Sequence, residues 1–122
     1  MDELLQNCLF PVMLGSNTAC HATVRQMQKR FGATCTVLTG KRALTLRFMP
    51  GVRLIDAAPT LSDDILLTIL NDVETESRWM IPLLVVCDRA YEAFVERNRP
   101  WLEAHFILRR VSELEVEGGK TL

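Results

Sequence analysis

Short apolar runs alternate with amphipathic stretches along the chain, a pattern that belongs to strand–helix–strand units rather than to a helical bundle or a β-sandwich. Residues 10–14 (FPVML) predict a first strand, and Gly15-Ser16-Asn17 turns out of it. Ala22, Val24, Met27 and Phe31 fall on one broad face and predict a helix from about Thr18 to Phe31, with Gly32 as its stop. Residues 34–38 (TCTVL) read as the second strand. Thr39-Gly40-Lys41 breaks it, residues 42–48 form a short irregular or helical piece, and Met49-Pro50-Gly51 turns the chain. Residues 52–56 fit a third strand, closed by Pro59 and Thr60.

The clearest helix opens at Ser62-Asp63-Asp64, an N-cap followed by an acidic first turn, and carries Leu66, Ile69, Leu70 and Val73 at helical spacing. Residues 81–86 (IPLLVV) form the unbroken apolar run of a central strand covered on both faces, with Pro82 near its start. Asp88 is placed to cap a following helix with Tyr91, Phe94, Val95 and Asn98 on one side, and Pro100 begins a further turn through Trp101 and Leu102. Residues 105–108 predict a short fifth strand. The expected architecture is therefore α/β: a three-layer, doubly wound, mostly parallel five-stranded sheet of Rossmann-like form over residues 1–110, with the acidic, glycine-ending residues 111–122 as linker or tail.

Composition narrows this further. With 122 residues, 48% of them hydrophobic, the chain fills one core and leaves no room for a second domain. No apolar run reaches the roughly 20 residues of a membrane-spanning helix, and the opening Met1-Asp2-Glu3 lacks the basic start of a secretory signal. The expected location is the cytoplasm. A net charge of -1 gives no electrostatic case for nucleic acid or an anionic membrane. The charge is uneven, however: residues 1–61 hold seven Lys/Arg against three Asp/Glu, and residues 62–122 hold seven against twelve. Such a dipole steers anions toward the first half, or simply marks two differently solvated faces.

In a doubly wound sheet, ligands sit beyond the carboxyl ends of the strands, near the point where strand order reverses. Three loops qualify: Gly15, Ser16, Asn17 and Thr18; Gly40 and Lys41 after Thr39; and Cys87, Asp88 and Arg89. Gly15 permits close backbone approach, and the helix start after it offers free N–H groups to an anion, although ordinary helix capping is also a sufficient role. One glycine does not make a dinucleotide fingerprint, and Gly40-Lys41 lacks the rest of a P-loop. Asp88 and Arg89 can orient a polar substrate, or Asp88 can serve as a cap alone. The cysteines Cys8, Cys20, Cys35 and Cys87 lack C-x-x-C spacing and read as reduced, mostly buried thiols, Cys87 alone having a reactive position at a strand end. His21 and His105 have no nearby nucleophile or carboxylate pattern in sequence and read as structural.

Phe10-Pro11-Val12-Met13-Leu14-Gly15, a helix with Ala22 and Arg25, Thr39-Gly40-Lys41, the stretch Val85-Val86-Cys87-Asp88-Arg89-Ala90-Tyr91-Glu92 and the close at residues 98–106 resemble the N-terminal, pre-ATP-grasp domain of ATP-grasp carboxylate–amine ligases. The resemblance spans about residues 9–110. It implies a Rossmann-like lobe that shapes the carboxylate or acceptor side of a cleft, with Gly15, Ser16, Asn17, Thr18, Gly40, Lys41, Cys87, Asp88 and Arg89 as substrate-side residues and no catalytic residue of its own. It implies that ATP and magnesium are held by an ATP-grasp module of the same polypeptide, that the substrate is a small carboxylate or amine, and that the lobe alone is inactive. Relatives of that kind often carry more glycine after the first strand than Ser16-Asn17-Thr18-Ala19-Cys20. The alternative is a stand-alone interaction or oligomerisation module, including a homodimer, marked by an exposed apolar patch. A receiver-like regulatory domain fits less well, because its acidic cluster is replaced here by Gly15-Ser16-Asn17.

Overall fold

A computed structural model of the chain describes residues 8–40 and 44–114. Strands β1 (Leu9–Leu14), β2 (Cys35–Thr39), β3 (Val52–Asp56), β4 (Ile81–Val86) and β5 (Ile107–Arg110) form one sheet in the order β3-β2-β1-β4-β5. Every neighbouring pair is parallel, so the sheet is wholly parallel. The two most apolar runs, β1 and β4, lie side by side at the centre, in register from Leu9 opposite Ile81 to Leu14 opposite Val86. That is the position their lack of polar alternation requires, since both faces of a central parallel strand are covered.

Alternate residues of the central strands feed two cores. Met13, Cys35, Val37 and Val85 pack under helices α1 (Thr18–Phe31) and α2 (Leu44–Arg47), meeting Val24, Met27 and Leu46. Val12, Leu14, Leu38 and Leu84 face the other way, toward α3 (Asp63–Ser77), α4 (Glu92–Arg97) and α5 (Arg99–His105). A fully buried leucine contributes about 1.5–3 kcal/mol relative to an exposed one, and Leu66, Leu70 and Leu102 anchor the second layer in this way.

The helices begin and end where the sequence provides the chemistry. Asn17 Oδ1 accepts from the Cys20 N–H at 2.9 Å and Ser62 Oγ from the Ile65 N–H at 3.3 Å. Gly32, at φ 62, closes α1 by donating its N–H to the Gln28 carbonyl. Asp88 caps a 3-10 turn, Arg89–Tyr91, which leads into α4.

β1 starts one residue earlier than expected, β2 starts and ends one residue later and so takes in Thr39, and three further boundaries differ. Pro100 opens a true helix, α5, whose last turn includes His105; the Nδ1 of His105 lies 2.7 Å from Glu74 Oε2, and its ring stacks on Trp101 with centroids 4.1 Å apart. Helical geometry therefore claims His105, and the fifth strand starts two residues later than the apolar run suggests. Its Arg109 and Arg110 are tolerated because β5 is an edge strand. Residues 111–114, expected to begin a linker, are helical, and Val111 and Leu114 pack against the α1 layer.

Candidate functional site at the carboxyl edge of the sheet

The chain runs from β1 to β2 and β3 on one side of the centre, then crosses to β4 and β5 on the other. The reversal falls between β1 and β4, so the loops after Leu14 and Val86 flank it. Leu14 binds them together: its carbonyl accepts from the N–H groups of both Cys87 and Asp88 at 3.1 Å.

Gly15 sits against Asp88 so tightly that a Cβ in its place would lie 2.5 Å from the Asp88 Cβ, and its φ of 118 is one that side-chain-bearing residues avoid. The lone glycine of this loop thus serves contact between β1 and β4. Asn17 then spans the reversal. Its Nδ2 donates to the Cys87 carbonyl at 3.0 Å, while its Oδ1 caps α1. Ser16 and Thr39 share a hydroxyl–hydroxyl hydrogen bond of 2.8 Å, which joins the loop after β1 to the end of β2. Gly40 is packed on the next connection, where a Cβ would fall 2.6 Å from Ala58.

Of the nine residues expected at the site, eight lie in the described part of this edge: Gly15, Ser16, Asn17, Thr18, Gly40, Cys87, Asp88 and Arg89. Lys41 lies outside the described residues. Gly15 is buried, Ser16, Cys87 and Asp88 are half-buried, and Asn17, Thr18, Gly40 and Arg89 are exposed. Asp88 Oδ1 accepts from the Ala90 N–H at 3.0 Å, so its capping role is real. The Arg89 side chain makes no hydrogen bond or ion pair among the described residues, whereas Arg97 and Arg99 are both engaged with carboxylates.

Two residues join the site that the sequence did not single out. Tyr91 is buried, and its hydroxyl donates to the Ala57 carbonyl at 2.7 Å, beneath the loop after β3. Burial, reinforced by the charge of Asp88, pushes its ionisation up to about 12, so it stays a neutral donor. Cys20 is fully buried beside the reversal, and its Sγ donates to the Gly15 carbonyl at 2.8 Å. The neighbouring Cys20 thiol first, then burial and the nearby Asp88 charge, raise the Cys87 thiol well above its usual range. A single cysteine among apolar neighbours gives no signal of such a partner.

Among the described residues, no group of three or more His, Cys, Asp and Glu side chains is placed to hold a metal ion. The buried Nε2 of His21 has no hydrogen-bond partner among the described residues. A shallow groove of about 400 Å³ lies on the outer helical layer, lined by Asp64, Leu67, Thr68, Asn71 and Trp101, none of which belongs to the three strand-end loops. No helix among the described residues is long and apolar enough to cross a membrane. Comparison with protein-family models, with curated proteins and with solved structures returns no match.

Proposed function

We propose that this chain is the substrate-side N-terminal lobe of an ATP-dependent carboxylate–amine ligase of the ATP-grasp class, inactive alone. ATP and magnesium would be held by an ATP-grasp module of the same polypeptide. The observation that supports this most is the knitting of three strand-end loops into one edge by the Ser16–Thr39 and Asn17–Cys87 hydrogen bonds. The exposed Arg89 guanidinium and the start of α1 add positive character to that edge. Together they suit a small carboxylate, which an exposed guanidinium holds through charge-assisted hydrogen bonds. In this reading the lobe's part is orientation. Cytoplasmic location belongs to the same reading: all four cysteines are unpaired, as in a reducing compartment.

The test is kinetic, in the polypeptide that carries the ATP-grasp module. Arg89→Ala should raise the KM for the carboxylate or acceptor about tenfold, the equivalent of about 1.4 kcal/mol, with ATP affinity unchanged. The lobe alone should show no micromolar, magnesium-dependent ATP binding by calorimetry. Equal losses for both substrates, or for neither, would place the substrate elsewhere. One observation favours the rival reading of an interaction or oligomerisation module: Trp79 and Phe48 are 93% and 78% exposed. A concentration-dependent dimer in sedimentation, abolished by Trp79→Ser, would support that reading instead.

A further inference from the structure

The two cysteines at the strand reversal are 67 residues apart in sequence, yet one side chain holds both backbones: Asn17 accepts from the Cys20 N–H at 2.9 Å and donates to the Cys87 carbonyl at 3.0 Å. Cys20 points from the first turn of α1 toward the sheet, with its Sγ 2.8 Å from the Gly15 carbonyl. Cys87 leaves β4 with its N–H on the Leu14 carbonyl and packs against the same α1 layer. We propose that Cys20 and Cys87 form a redox-active dithiol whose oxidation by a low-molecular-weight disulfide staples the loop after β1 to the end of β4. This inference does not rest on the ligase reading.

The exposures of the two sulfurs assign their roles. Cys20 is fully buried and Cys87 is partly accessible, so Cys87 meets the oxidant. Its thiolate attacks one sulfur of the disulfide and displaces the first thiolate, leaving a mixed disulfide on Cys87. The Cys20 sulfur then attacks the Cys87 sulfur, forming the internal S–S bond and expelling the second thiolate. The protein loses two electrons and two protons, and the oxidant becomes two free thiols. Because the neighbouring Cys20 thiol and burial disfavour the Cys87 thiolate, exchange is slow at neutral pH and quickens as pH rises. Cys35 serves as the internal control: it is fully buried at the amino end of β2, and burial pushes its thiol up to about 12.

The folded chain is incubated with oxidised glutathione at pH 8.5, the remaining thiols are alkylated, and the non-reduced digest is mapped by mass spectrometry. The expected result is a Cys20–Cys87 cross-linked peptide, with Cys8 and Cys35 alkylated and two of the four thiols consumed. Oxidation should raise the melting temperature by something on the order of 10 °C, because the bond closes a long loop in the unfolded chain. Cys35→Ser should leave the cross-link intact, and Cys87→Ser should abolish it. The mapping of the unsubstituted chain needs no variant and decides the matter even if Cys87→Ser fails to fold. A stable glutathione adduct on Cys87, a bond involving Cys8 or Cys35, a cross-link between chains, or four unreacted thiols in folded protein would overturn the proposal.

Discussion

At the scale of single residues, the carboxyl edge depends on contacts that leave no room for an added methyl group. Gly15→Ala forces a Cβ to within 2.5 Å of the Asp88 Cβ at a φ of 118, so backbone strain and steric overlap act together. We expect a loss of at least about 2 kcal/mol in urea denaturation. A loss under about 0.5 kcal/mol would mean that the loop after β4 moves aside at little cost and that the reversal is not locked. The sequence flagged Gly15 for close backbone approach, and one such close partner is the protein's own Asp88. Spacing along the chain cannot name that partner, because it is 73 residues away. The pairing of Cys20 with Cys87 escaped notice for the same reason.

At the scale of elements, capping and apolar periodicity carried most of the information. β3 and β4 lie at the expected residues, and α1 and α3 begin at their Asn17 and Ser62 caps. The errors cluster where an apolar stretch straddles two elements: residues 105–108 look like one strand, but His105 is committed to α5 by Glu74 and Trp101. The α3–α4 contact was equally hidden. Arg97 grips Asp63 through two hydrogen bonds of 2.9 Å, and Asn98 adds one of 3.0 Å to the same carboxylate. The Arg97 guanidinium first, and Asn98 next, lower the Asp63 carboxyl from its usual 3.8 to about 2. A folded-state value below the unfolded one means that stability is fully present above the unfolded value and is lost as pH falls through the folded one. Asp63→Asn should therefore lower the melting temperature at pH 7, and the gap from the parent should close between about pH 4 and pH 2. A gap that persists below pH 2 would assign the effect to helix capping rather than to the charged contact.

At the scale of the whole molecule, the sheet divides into a local half and a distant one. β1 meets β2 across 24 residues, as in Val12 opposite Thr36, but meets β4 across 72, as in Leu14 opposite Val86. Local pairings close at lower entropic cost, so the β1–α1–β2–β3 half has the shorter route to structure and forms the nucleus, with β4 docking beside β1 after the rate-limiting step. Substitutions in α1, such as Val24→Ala, should slow folding, while Leu84→Ala in β4 should mainly speed unfolding in stopped-flow measurements. The reverse assignment would show that β4 docks first.

The same order β3-β2-β1-β4-β5 matters while the protein is being made. On the ribosome, β1 and β2 emerge early, but the edge of β1 that belongs to β4 stays bare until residue 86 has left the exit tunnel. For that interval the most apolar strand of the first half presents unpaired N–H and C=O groups to its surroundings or to the next chain on the same message. A nascent chain stalled before Ile81 emerges is therefore the species most exposed to chaperone capture and to co-translational aggregation. Release of β4 ends that exposure in a single step, by filling the gap at the centre of the sheet.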